Sequence, residues 1–186
     1  MVPTPATTLT VAGTNLATAL HAVRFATGSD AEVPPLRGVL FDITAEAVTL
    51  VATDRYRLAV ASVPVEVLDG PERSAVVPAQ LADTLAALED HSVHLTFTAE
   101  MVTAYAGAVR NVEGELIGDT YPNTAGSCPT RTRPPPSRSP AVNREFLLEA
   151  IDAGGEDQLM LSLDGPVTPV VIRSPRSLSL LMPVRV

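Results

Sequence analysis

"LTVAGTNLATALHAVRFATGSD", residues 9–30, decides the fold, because the pattern it begins returns twice further along the chain. Its first residues alternate as a strand does. From about Asn15 the period changes to that of a helix, with Leu16, Leu20, Val23 and Ala26 on one face and Thr14 placed as the cap. Three strand signals follow: "RGVLFDI" (37–43), "AVTLVAT" (47–53) and "RLAVASVPV" (57–65), each β-branched-rich with one apolar face. The second round reads "SAVVP" (74–78), the helix "AQLADTLAALED" (79–90), then "SVHLTFT" (92–98), "MVTAYAG" (101–107) and "GELI" (114–117). The third reads "SPAV" (139–142), the helix "NREFLLEAIDA" (143–153) stopped by Gly154 and Gly155, then "DQLMLSL" (157–163), "TPVVIRS" (168–174) and "SLSLLMPVRV" (177–186). Val11, Val77 and Val142 precede the three helices, 66 and then 65 residues apart. The expectation is an α+β chain of three βαβββ units.

Two units complete each other more readily than three. A layer from a single unit leaves a strand edge, so the third unit calls for the first two, or a second chain, as neighbour. "PTRTRPPPSRSP" (129–140) carries five prolines and no apolar period, and reads as a stiff, solvated spacer. The last strand is unusual for a chain end: Leu178, Leu180 and Met182 form an apolar row alternating with Ser177, Ser179 and Leu181, and such a row asks for a buried partner.

Composition narrows the function. The 186 residues are 46% hydrophobic and can bury a sizeable core. With 21 acidic and 13 basic residues, all of the latter arginine, the net charge is −8, which opposes a role centred on neutralising phosphates. Tryptophan is absent and aromatics are 4%, so stacking platforms for single strands are scarce. Cys128 is the one cysteine, which leaves no internal disulfide and no cysteine zinc site. No run of 18 apolar residues occurs and "MVPTPATT" lacks the regions of a signal peptide, so a cytoplasmic protein without membrane contact is expected.

Sites of chemistry are not evident. His91 and His94 lie at a helix exit and a strand start without a third ligand, and no nucleophile elbow, zinc-protease motif or phosphate loop is present. Asp54 opens a strand-to-strand turn, where a carboxylate usually accepts from local amides. The expectation is no catalytic residue, no metal and no cofactor. Arg24 and His21 on the first helix, none on the second, and Arg144 among Glu145, Glu149 and Asp152 on the third do not build a basic wall for DNA.

Several segments together resemble the bacterial DNA polymerase III β sliding clamp family. Its middle domain typically carries L-x-G-V-x-F followed by ATDGHRLAV; here stand Leu36-Arg37-Gly38-Val39-Leu40-Phe41 and "ATDRYRLAV" from Ala52 to Val60. "LIGDTYPNT" from Leu116 is similar to the family's L-I-x-G-x-F-P-D-Y, and Leu181-Met182-Pro183-Val184-Arg185-Val186 to its common ending LMPVRL. The resemblance implies the clamp fold: a middle domain of two units over 1–125, a linker over 126–140, and a half domain of one unit over 141–186. The first domain and the first half of the last have no counterpart, so the usual DNA-encircling ring is not expected, and direct DNA binding should be weak or absent.

In the family, a groove between middle and last domains receives short peptides of replication and repair proteins. By resemblance its lining here would be Leu36, Thr53, Arg55, Tyr56, Arg57, Leu58, Pro122, Leu180, Met182, Pro183, Val184 and Arg185. Leu58, Leu180, Met182 and Val184 would form the apolar slot, with Arg57 and Arg185 free to fork onto carboxylates or carbonyls. Arg55-Tyr56 stands where the family has Gly-His, and Ser127 where it has an apolar residue, which implies a different guest. If that glycine serves a special backbone angle, arginine must strain or reshape the turn. The resulting expectation is a non-enzymatic, replication-related peptide-binding module that homodimerises through the odd half domain. The alternative is a clamp-like ligand-sensing module of a transcriptional regulator or antibiotic-resistance protein, taking a small peptide-like ligand.

Overall fold

The strands and helices of this computed structural model follow the repeated order, and the residues described are 5–89, 92–107, 110–123, 140–155 and 158–184. The first unit runs β1 (Thr7–Val11), α1 (Gly13–Arg24), a 3₁₀ turn (Pro34–Arg37), β2 (Gly38–Ile43), β3 (Ala47–Thr53) and β4 (Arg57–Pro64). A short β5 (Val67–Asp69) leads to the second: β6 (Arg73–Pro78), α2 (Ala79–Ala86), β7 (Val93–Phe97), β8 (Met101–Ala106) and β9 (Arg110–Glu115). The third holds α3 (Arg144–Ala153), β10 (Met160–Ser162), β11 (Val170–Arg173) and β12 (Ser177–Leu181).

The first two units exchange their leading strands. β1 leaves its own unit to pair with β7, and β6 pairs with β2, so each sheet contains three strands of one unit and the first strand of the other. The sheets read β5-β1-β7-β8-β9 and β10-β11-β12-β4-β3-β2-β6. All strand pairs are antiparallel, as the alternating patterns require. The inward residues of both sheets meet Leu16, Leu20 and Val23 of α1 and Ala82 and Leu85 of α2 in one core, where the Phe41 and Phe97 rings lie 5.8 Å apart. Gly38 is needed where β2 and β6 approach: a Cβ there would come within 2.6 Å of the Val77 carbonyl oxygen.

The third unit docks edge-on. β12 pairs with β4 over Ser177↔Ala61 to Leu181↔Arg57, which extends the larger sheet from four strands to seven. Ala150 of α3 closes a small core with Val170, Ile172 and Leu181.

Four details differ from the sequence reading. α1 begins at Gly13 with Ala12 as its cap and no side-chain bond, while Thr14 lies inside the helix and its carbonyl accepts from the Thr18 hydroxyl at 2.8 Å. The last strand of the second unit is Arg110–Glu115 rather than "GELI"; Ile117 makes only a bridge to Val76. Pro140, Ala141 and Val142 are not in a strand, and most of the proposed spacer lies outside the described residues. Leu181, grouped with the serines by alternation, is fully buried under α3, so β12 is apolar on both faces near its end.

Candidate functional site

The turn joining β3 to β4 is built by its own side chains. Thr53 Oγ1 donates to the Arg57 carbonyl at 2.7 Å and accepts from the Arg55 amide at 3.2 Å. Asp54 Oδ1 accepts from the Tyr56 and Arg57 amides, each at 3.0 Å, so this carboxylate is a turn former. Arg55 takes φ +79°, the one positive φ outside glycine among the described residues. That is the angle a glycine would adopt freely, and arginine meets it with strain. Its guanidinium reaches Asp30 at 3.4 Å, and both side chains are exposed.

Against this turn lies the carboxyl-terminal strand. Leu180 is the cross-strand partner of Leu58, Leu181 of Arg57, and the Met182 amide donates to the Tyr56 carbonyl at 2.8 Å. The Val184 amide donates to the Ala141 carbonyl at 2.7 Å, tying the tail to the entrance of α3. On the outer face of the sheet, Leu40, Val51, Val60 and Leu178 form one row across four strands, and Leu58, Leu180 and Val171 a second. This apolar face is turned away from both helical cores.

The segment after β9 reaches the same face. Ile117 bridges to Val76 at the sheet edge, and the chain then crosses to set Tyr121 against the apolar rows, where its Oη accepts from the Thr53 amide at 3.1 Å. Burial pushes the Tyr121 phenol up to about 12, partly offset by that backbone bond. Between this segment and β2 and β6 lies a cleft of about 360 Å³. A larger one of about 860 Å³ opens on the other side of the turn, between Arg55-Tyr56-Arg57, Leu36 and the start of α2.

The predicted lining is therefore divided. Leu58 and Leu180 sit in the apolar face, with Met182 and Val184 half exposed at its end. Leu36, Arg55, Tyr56 and Arg57 border the larger cleft, where Leu36 is buried and Tyr56 is 65% exposed. Thr53 is a buried turn former, Pro122 is exposed and Pro183 is partly covered. Arg185 and Ser127 lie outside the described residues.

Arg57 has another occupation. Its guanidinium bonds Asp54 Oδ2 at 2.8 Å and Glu149 of α3, and stands 5.4 Å and 4.2 Å from the Phe25 and Phe146 ring centres. Only 11% of the side chain is exposed, and its partners join the third unit to the first. Sequence reasoning missed this cluster, as well as Tyr121. The tyrosine stood in a quoted motif, but only the path of residues 116–121 places it on the sheet.

His94 Nδ1 is 2.9 Å from the Thr10 hydroxyl, and His91 lies outside the described residues. Among the described residues no cluster of three potential metal ligands occurs, and no helix is long and apolar enough to cross a membrane. Arg24 on α1 is held by Asp83 through two bonds of 2.7 and 3.0 Å.

Paired βαβββ units with exchanged leading strands, extended by a further unit, define a sliding-clamp fold. Solved clamps agree: the DNA polymerase sliding clamp of Bacillus subtilis superposes with a TM-score of 0.82 at 16% identity, over 96% of this chain and 64% of its own. The Pseudomonas aeruginosa clamp gives 0.81 at 16% identity, over 96% and 66%. Residues 10–123 match the model of the DNA polymerase III beta subunit central domain, and the chain belongs to that family. A beta sliding clamp from Streptomyces coelicolor is 37% identical over 109 residues, 56% of this chain but 26% of that relative. The chain thus spans about a quarter of the curated relative and less than two thirds of the solved clamps in length. Members of the family are processivity factors and not enzymes.

Proposed function

We propose that the protein is a replication-related, clamp-derived binding module that presents its outer sheet face to short linear peptides of replication or repair proteins. The observation that carries this reading is the pairing of the tail with the β3–β4 turn: Leu58 beside Leu180, and Met182 bonded to Tyr56. It supplies an apolar strip of fixed geometry with the half-exposed Met182, an adaptable side chain, at its end. Arg55 and Tyr56 lie beyond the turn, on the larger cleft, and favour a guest that extends past the strip with an acidic or hydrogen-bonding residue.

The protein acts in the cytoplasm, as its family does, and does not encircle DNA alone. The paired Arg24 and the acidic neighbours of Arg144 support weak DNA binding. The clamps matched give the ligand-sensing alternative no support.

Titration of a fluorescent peptide carrying the family's apolar partner motif tests the reading. Micromolar binding that Leu58→Asp and Met182→Asp each weaken by about tenfold or more is expected. Absence of binding at millimolar peptide contradicts it.

A further inference from the structure

The first two units show what a single unit lacks. β2 carries β3 on one side and the other unit's leading strand, β6, on its outer side. In the third unit β10 has the place of β2, and β11 pairs with one side of it. Among the described residues no strand lies on its other side, where Met160 is 65% exposed and Leu161 46%. Likewise α1 packs against α2, whereas α3 meets α1 on one flank and, among the described residues, leaves Leu148 and Ile151 of the opposite flank exposed.

That exposed flank is apolar and self-complementary. At about 100° per residue, Phe146 and Glu149, which meet Arg57, fall on one side of α3, and Arg144, Leu148 and Ile151 on the other. Leu148 and Ile151 are exposed, with Arg144 at one end of the stripe and Asp152 beside the other. A second α3 laid antiparallel across it would set Leu148 on its counterpart and Arg144 near Asp152 at both ends. A cross-helix pair of this kind already joins α1 to α2 through Arg24 and Asp83. The chain between the second and third units does not provide the missing mate: only residues 124–139 lie there outside the described ones, far short of a unit's 66-residue period.

We infer that the half domain of a second copy of this chain covers this face, the two third units forming one clamp-type domain about a twofold axis. The pairing is isologous, with α3 on α3. It does not rest on the peptide reading, whose face lies at the β4–β12 seam, and the two fail separately.

Sedimentation equilibrium of the full chain from 5 to about 200 µM tests it, with a micromolar dimer expected. Leu148→Glu with Ile151→Glu should weaken dimerisation at least about 100-fold, because it buries like charges on the axis. Val67→Glu, on the far edge of the other sheet, should leave the dimer intact. A monomeric wild type, a dimer unaffected by the double change, or one equally lost in Val67→Glu would each overturn the inference. Should the double variant lose its circular dichroism, Leu148→Cys in a Cys128→Ser background is treated with a short bismaleimide instead. Efficient covalent dimer formation, absent for Val67→Cys, is expected; none at Leu148→Cys overturns it.

Discussion

Arg55 carries a backbone angle suited to glycine in a turn otherwise satisfied by Thr53 and Asp54. Its ion pair with Asp30 is exposed and offsets little of that strain. Arg55→Gly should therefore raise the stability by about 1 kcal/mol, read from the urea midpoint. Tyr121 makes a second single-residue prediction. Its folded value of about 12 lies above the ordinary 10.0, so folding favours the protonated phenol. This contribution is complete below about pH 10 and is lost as pH rises through about 12, with a slope of at most ~1.4 kcal/mol per pH unit. Denaturant titrations of wild type and Tyr121→Phe between pH 9 and 12 should show a shallower decline in the variant. The variant also loses about 1 kcal/mol at neutral pH, because the Thr53 amide keeps no partner in the phenol.

At the level of elements, β12 and α3 show how far the sequence could be read. The alternation of Leu178 and Leu180 marked one face of a strand, and that face is indeed the outer apolar row. Leu181 and Ser179 show where alternation stops informing: both are buried because β12 is interior to a sheet with α3 on its other side, and two-sided burial erases the period. The strand order was equally hidden. Local patterns mark β1 and β6 as strands, but nothing within them says that each pairs with the other unit, since exchange depends on chain path and not on side-chain period. Arg57 looked available because its neighbours in sequence are polar; Phe25 and Phe146, 32 residues before it and far beyond it, enclose it only after the third unit docks. Arg57→Ala should destabilise the chain by about 2–3 kcal/mol and raise hydrogen exchange in α3 before it does so in α1. In a double-mutant cycle with Glu149→Ala, a coupling of about 1 kcal/mol is expected.

Over the whole molecule, residues 10–123 match the family's central domain and the third unit extends its larger sheet. The resemblance to the family lies in the β2–β4, "LIGDTYPNT" and tail motifs, and residues of all three meet in space near the β4–β12 seam. The lining that these motifs implied is less uniform: Leu58 and Leu180 lie on the sheet, Leu36 borders the larger cleft, and Arg55 and Arg57 serve the turn and the joint between units. Under the proposed function, docking of peptides depends on the tail as a wall. The direct measurement is calorimetric titration of the partner-motif peptide into the full chain and into a chain lacking residues 182–186, both first shown to be folded by circular dichroism. The account predicts micromolar affinity for the full chain and a loss of at least about tenfold on truncation; equal affinity for the two chains would contradict it.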